Sequence, residues 1–123
     1  MSKILVIDDS STIRKMVQYS LQPKGHTMVL AEDGVDGFEK LEEEEEGFDI
    51  IILDINMPRM DGLEFLKKIQ QSPSYSSIPV IILTTEGQNA DKDKAFKLGA
   101  KGYFVKPFKP NELLQGIEKI LKG

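Results

Sequence analysis

Four charged side chains in this sequence directly follow apolar runs typical of β-strands: Asp8, Asp9, Asp54 and Lys106. If the strands lie parallel in one sheet, these side chains meet at its carboxyl edge, where open α/β sheets bind ligands. Three neighbouring carboxylates repel one another and would hold protons unless a cation compensated their charge. Carboxylate oxygens in a site open to water suit Mg²⁺. The pattern therefore predicts a magnesium site in which one carboxylate attacks a phosphoryl group and the lysine helps to neutralise its oxygens.

The elements that position these residues follow from hydrophobic periodicity. Five apolar runs alternate with helical segments, which indicates an α/β domain with a parallel sheet and helices on both faces. Five strands of this kind fit the flavodoxin-like order 2-1-3-4-5. This order is taken from known α/β folds, because the sequence alone does not determine it. We expect residues 1–123 to form one domain. The strands are predicted at 3–8, 27–31, 49–54, 80–83 and 102–106. Helices are predicted at about 11–22, 62–71 and 89–98, and two more are predicted to begin at about residues 34 and 110.

Composition narrows the setting in which the chain works. The sequence has no cysteine, which excludes a disulfide framework and thiolate metal sites and suits a reducing compartment. Its longest apolar runs hold about five residues, whereas a membrane span needs roughly 20. The sequence opens directly on a strand pattern, so we expect no signal peptide. The expected location is the cytoplasm, without insertion into a membrane.

Charge is divided unevenly along the chain. The formal net charge of −4 argues against general nucleic-acid binding. Residues 1–87 hold 8 basic and 16 acidic side chains, whereas residues 88–123 hold 8 lysines and 4 acids. A basic C-terminal part could attract an acidic protein partner, although solvated lysine-rich helices give the same pattern.

Each candidate residue also has an ordinary structural explanation when it is taken alone. Asp8 and Asp9 could cap the following helix, Asp54 could belong to a turn, and Lys106 could be a surface lysine. Thr84 lies at the end of the fourth strand and could donate its hydroxyl to a phosphoryl oxygen, yet threonine is common in strands without a function. The shared position of all five residues at strand ends favours a common site.

The motifs at these positions resemble the receiver domain of two-component response regulators. They match that family in order and spacing along the whole chain: Asp8-Asp9, the run from Asp54 to Gly62, Thr84, and Lys106-Pro107-Phe108. Within the family, the sequence is most similar to the single-domain chemotaxis regulators. Tyr103 stands three residues before the lysine, and Ser11–Arg14 follows the acid pair, as in regulators of that type.

The resemblance implies a role for each matching residue. Asp54 would accept the phosphoryl group from a sensor histidine kinase, and Lys106 would pair with Asp54 and then with the phosphoryl oxygens. Mg²⁺ would be bound directly by Asp9, Asp54 and the backbone carbonyl of Asn56. Asp8 would contact the metal mostly through water. The peptide bond from Lys106 to the following proline would be cis.

The resemblance also implies how the signal leaves the site and how long it lasts. Thr84 would move to the phosphoryl group, and Tyr103 would swing inward into the vacated space. The signal would reach the lysine-rich face of the fourth helix, fifth strand and fifth helix. Asn56 and Glu86 would contact the attacking water and give a short phosphoryl lifetime. Thr85, where a smaller alanine is common, could narrow access to the acceptor.

The implied partners are a sensor histidine kinase, an output protein such as the flagellar motor switch, and a phosphatase. The chain would be a signalling switch rather than an enzyme, catalysing only its own phosphorylation and dephosphorylation. Two other roles stay open: a phosphorelay intermediate, or the receiver part of a DNA-binding regulator. A haloacid-dehalogenase-type phosphatase is a more distant alternative, because such enzymes space their two aspartates as Asp-x-Asp, whereas Asp8 and Asp9 are adjacent.

Overall fold

Five β-strands alternate with five α-helices in the computed structural model, which describes residues 2–55, 57, 60–85 and 89–122. The strands are β1 (Lys3–Ile7), β2 (Thr27–Ala31), β3 (Ile50–Asp54), β4 (Val80–Thr85) and β5 (Gly102–Lys106). The helices are α1 (Ser11–Leu21), α2 (Gly34–Glu43), α3 (Gly62–Gln71), α4 (Asn89–Lys97) and α5 (Pro110–Lys122), and a short 3-10 helix, Gln22–Lys24, follows α1.

All five strands run parallel in the order β2-β1-β3-β4-β5, which confirms the predicted flavodoxin-like sheet. The strand order reverses beside β1, so β1 and β3 are neighbours at the switch point where such sheets bind ligands. Their register pairs Ile7 with Leu53. The next residue along each chain segment is therefore Asp8 on one side and Asp54 on the other, side by side at the carboxyl edge.

The hydrophobic core lies in two layers, one on each face of the sheet. Leu41, Phe65 and Ala95 belong to the layer that packs the sheet against α2, α3 and α4. Val17 and Ile117 belong to the layer under α1 and α5. Because helices cover both faces, β3 is buried along its whole length. Within the described ranges, every helix is too short or too polar to cross a bilayer.

In the part of the chain that the structure describes, three helices begin after a residue whose side chain accepts a hydrogen bond from the backbone of the first turn. Such caps satisfy N–H groups that have no partner inside the helix. Asp61, in the turn before α3, is one of these caps. The capping contacts are Ser10 with the N–H of Ile13 at 3.2 Å, Asp33 with that of Asp36 at 2.9 Å, and Asp61 with that of Glu64 at 2.9 Å.

The limits of the elements differ from the predicted ones by one or two residues. β4 continues through Thr85 because this residue still pairs with Lys106 of β5. α1 ends at Leu21 and the chain tightens into a 3-10 turn around Pro23, which has no backbone N–H to continue an α-helix. These shifts leave the predicted site residues at the ends of the strands.

Candidate functional site

The three aspartates come together at the carboxyl edge of the sheet. Asp8 follows β1 and Asp54 ends the neighbouring strand β3. Carboxylate oxygens of Asp8, Asp9 and Asp54 lie within 4.8 Å of one another. Asp8 and Asp54 are buried, with 1% and 4% of their surface exposed, whereas Asp9 is exposed. The fold therefore holds two carboxylates under the surface and leaves the third open to water.

This set of donors fits Mg²⁺. The ion prefers oxygen ligands, takes one or two carboxylates, and keeps several water molecules, for which an exposed ligand leaves room. Three carboxylates at this spacing also repel one another, so a bound cation would relieve their repulsion. Asn56, whose carbonyl is a further predicted ligand, lies outside the described residues.

Each polar group of Asp8 has a partner. Its N–H donates to the carbonyl of Ala31 at 3.1 Å. One carboxylate oxygen accepts from the N–H of Ser10 at 2.9 Å, and the other accepts from the ammonium of Lys106 at 2.7 Å. Its backbone carbonyl accepts from the guanidinium of Arg14 at 2.6 Å. These hydrogen bonds hold both the backbone and the side chain of Asp8, the residue that precedes Asp9.

Lys106 reaches the acidic cluster from the end of β5. Its ammonium lies 2.7 Å from Oδ2 of Asp8 and 3.5 Å from Oδ1 of Asp54, and 12% of its side chain is exposed. The structure therefore places the lysine between two buried carboxylates, nearer to Asp8 than to the predicted acceptor. The Lys106-Pro107 bond is cis, as the resemblance implies.

Thr84 lies on β4, one residue beyond the pair formed by Leu83 and Asp54. It is fully buried, and its hydroxyl has no hydrogen-bond partner in the part of the chain that is described. A buried hydroxyl without a partner costs about 1–3 kcal/mol, so such a group is uncommon in a strand. Its neighbour Thr85 is exposed. Thr84 is therefore available as a donor to a group bound at the carboxyl edge.

Tyr103 lies on β5 at the boundary between the core and the surface. Its half-buried ring packs against the core layer under α2, α3 and α4. Two residues of α4 lie beside the ring. The Phe96 ring centroid is 6.3 Å away, and the Lys92 ammonium lies 5.7 Å from the Tyr103 centroid. A change in the ring position would therefore alter the surface formed by α4 and β5.

Two residues at the site were missed in the sequence analysis, and two predicted ones lie outside the described residues. The latter are Asn56 and Glu86. Arg14 was missed because a contact with a backbone carbonyl six residues away has no sequence pattern. The sequence motif indicated Gly62 only as a turn residue, and its close approach to the end of β3 was not predicted. It begins α3 so close to the end of β3 that a Cβ atom there would lie 2.6 Å from Cα of Ile55.

The sequence profile of the response regulator receiver domain matches residues 4–118. The chain therefore belongs to the receiver domain family of two-component signalling, which confirms the resemblance seen in the sequence. Membership in this family implies that a histidine kinase is the phosphoryl donor and that the chain has a downstream target. It is a signalling protein rather than a classical enzyme.

Within the family, the chain is similar to CheY proteins. It is 42% identical to a chemotaxis protein CheY homolog of Campylobacter jejuni over 120 residues, covering 97% of this chain and 92% of the relative. It is also 42% identical to chemotaxis protein CheY1 of Helicobacter pylori, with 97% and 96% covered. The structure of the chemotaxis response regulator CheY4 of Vibrio cholerae matches with a TM-score of 0.88 at 39% identity, covering 98% of both chains.

Proposed function

We propose that this protein is a cytoplasmic phosphorylation switch in which Asp54 accepts a phosphoryl group from a histidine kinase. The observation that supports this function is the buried pair of carboxylates, Asp8 and Asp54, with Asp9 and Lys106 beside them at the sheet switch point. A carboxylate oxygen of Asp54 would attack phosphorus, and the phosphorus–nitrogen bond of the phosphohistidine would break. The product would be an acyl phosphate on this chain.

The residues around the acceptor supply positioning and charge. Asp8, Asp9 and Asp54, with the carbonyl of Asn56, would hold Mg²⁺. A bound metal supplies positive charge that stabilises the oxygens of the transferring group. Lys106 would provide the second positive charge, since its ammonium already lies within 3.5 Å of the Asp54 carboxylate. Phosphoryl transfer depends mainly on such charge stabilisation.

The switch would follow from the new charge. A phosphoryl group adds about −1.5 to −2 charges and three acceptor oxygens in typical phosphosites. The buried Thr84 hydroxyl could donate to one of them, and Tyr103 would move inward as Thr84 shifts. The change would reach the surface of α4, β5 and α5, which carries most of the C-terminal lysines.

Chemotaxis is the output that the comparisons support, because both curated relatives carry it in their names. We infer that the α4–β5–α5 surface binds an output protein such as the flagellar motor switch, and that a phosphatase is a further partner. Asn56, Glu86 and Thr85 would set the lifetime of the phosphoryl group. Binding of a flagellar switch protein from the same genome, with and without beryllofluoride, tests the output.

Intact-protein mass after exposure to a small acyl phosphate tests the acceptor. We expect one added phosphoryl group that requires Mg²⁺, is absent in Asp54→Asn, and fades with time. Asp61→Asn is the matched control, because asparagine keeps the α3 cap and the residue is outside the cluster. An equal gain in Asp54→Asn would contradict the proposal. So would a folded wild-type protein that neither gains mass nor binds beryllofluoride.

A further inference from the structure

Arg14 is a charged residue of α1 whose position the helix itself does not explain. It lies close to the N-terminus of α1, where the backbone N–H groups already carry positive charge and a cation is disfavoured. The residue is half-buried, and its guanidinium donates a 2.6 Å hydrogen bond to the backbone carbonyl of Asp8. Its stabilising contact is therefore with the end of β1 rather than with its own helix.

That carbonyl belongs to the peptide bond that joins Asp8 to Asp9. The other polar groups of Asp8 are bonded to Ala31, Ser10 and Lys106. Arg14 supplies the remaining contact, to the carbonyl of the peptide that leads to Asp9. The Asp9 carboxylate has no hydrogen-bond or ion-pair partner among the described residues, so its direction depends on the backbone that carries it.

We propose that Arg14 is a positioning residue for the metal ligand Asp9. By holding the carbonyl of Asp8, it orients the following peptide so that the Asp9 carboxylate faces the carboxylates of Asp8 and Asp54. The inference rests on the magnesium site of the proposed function. It extends that site to a residue that would not touch the metal.

A purely electrostatic role for Arg14 predicts the opposite effect on metal affinity. A guanidinium near a cation site repels the incoming ion, so removal of its charge alone should tighten Mg²⁺ binding. Loss of a residue that orients a ligand should weaken it, as changes behind metal ligands usually do. The sign of the change in affinity therefore distinguishes the two roles.

The test compares Arg14→Met, Arg14→Lys and Lys15→Met with the wild type by calorimetric titration with Mg²⁺. Arg14→Met should bind Mg²⁺ about tenfold more weakly. Arg14→Lys keeps the positive charge and an N–H donor, so its Mg²⁺ affinity should lie between those of Arg14→Met and the wild type. Lys15 is exposed on the next position of α1, so Lys15→Met is the matched control for charge and should bind as tightly as the wild type or slightly more tightly.

A second readout needs no metal. In metal-free protein, amide hydrogen exchange at Asp9 and Ser10 should be faster in Arg14→Met than in Lys15→Met. Unchanged exchange at these amides, or Mg²⁺ affinity equal to or above that of the wild type in a folded Arg14→Met protein, would overturn the inference. If the wild type itself bound no Mg²⁺, the proposed function would fail, and the exchange comparison would still decide the role of Arg14.

Discussion

The ammonium of Lys106 lies 2.7 Å from Oδ2 of Asp8, closer than its 3.5 Å distance from the predicted acceptor Asp54. The Asp8 side chain is 1% exposed, so this contact joins two charges that are largely removed from water. A buried charge whose partner is removed is strongly destabilising. In the metal-free protein, Lys106 therefore compensates a carboxylate that Mg²⁺ would also compensate.

Replacement of Lys106 by methionine should lower the free energy of unfolding by about 3 kcal/mol without metal, because Asp8 loses its counter-ion. Mg²⁺ should restore part of this loss, since in the proposed function it would bind the folded acidic cluster. Urea unfolding in chelator and in Mg²⁺ measures both effects. Lys101 is exposed just before β5, and Lys101→Met should change stability by less than about 0.5 kcal/mol. Equal losses in the two variants would contradict the role of the buried pair.

Thr84→Val should keep the free energy of unfolding or raise it by about 1 kcal/mol, because the lost hydroxyl has no partner in the described part of the chain. Asp54 should still be phosphorylated, yet the response of Tyr103 to beryllofluoride, followed by NMR, should disappear. The exposed neighbour provides the control, and Thr85→Val should respond like the wild type. A normal Tyr103 response in Thr84→Val would count against the switch.

Gly62→Ala should lower the free energy of unfolding by more than about 2 kcal/mol and slow phosphorylation. The added Cβ would collide with the carbonyl of Asp54 and lie 2.6 Å from Cα of Ile55, so the backbone at the acceptor must move. Gly34 also begins a helix, but the atoms nearest to a Cβ there are side-chain atoms of Met60, at 2.9–3.1 Å, with no backbone atom among the three nearest. Denaturant unfolding and phosphorylation rates should therefore separate Gly62→Ala from a milder Gly34→Ala.

Lys92→Met should redistribute the orientations of the Tyr103 ring. A cation over an aromatic ring at an exposed site contributes about 0.5–1 kcal/mol, enough to change a population ratio roughly two- to fivefold. Fluorine NMR of 3-fluorotyrosine can follow this ring, since the sequence has three tyrosines. Lys94 faces the groove between α3 and α4 and is the control. Identical Tyr103 spectra in wild type and Lys92→Met would show that the contact has no influence on the ring.

The stabilisation from Lys3 should be lost at high pH. Its hydrogen bond to Glu44, at 2.7 Å, raises the pKa of Lys3 above the ordinary value of 10.5. A raised folded-state pKa gives stability that is fully present below the unfolded-state pKa and disappears as pH rises through the folded-state pKa. The difference in unfolding free energy between wild type and Lys3→Met should therefore stay constant near neutral pH and shrink above 10.5. A difference between wild type and Lys3→Met that persisted at high pH would contradict this expectation.

The strands and the cap at Asp61 were predictable because their signals are local. The meeting of Asp8 and Asp54 was also predictable, because parallel neighbouring strands bring their carboxyl ends together. The preference of Lys106 for Asp8 was not, since it depends on a difference of less than 1 Å between two carboxylates. Such a difference is set by three-dimensional packing of β1, β3 and β5.

The contact made by Arg14 is a second feature that could not be predicted from the sequence. Its hydrogen bond to a main-chain carbonyl uses no side chain of the partner, so no pairing of residue types indicates it. The roles of Asn56 and Glu86 stay predictions, because both residues lie outside the described part of the chain.

α1, α2 and α3, which are capped by Ser10, Asp33 and Asp61, each follow a strand of the parallel sheet and so begin at the edge where the aspartates lie. Each helix start carries roughly half a positive charge from its peptide dipoles. In the proposed function, part of the attraction for a phosphoryl donor would therefore come from the main chain, where neither proton loss nor side-chain replacement can remove it. Ionic strength is the variable that weakens this contribution, through screening over about 8–10 Å at physiological salt.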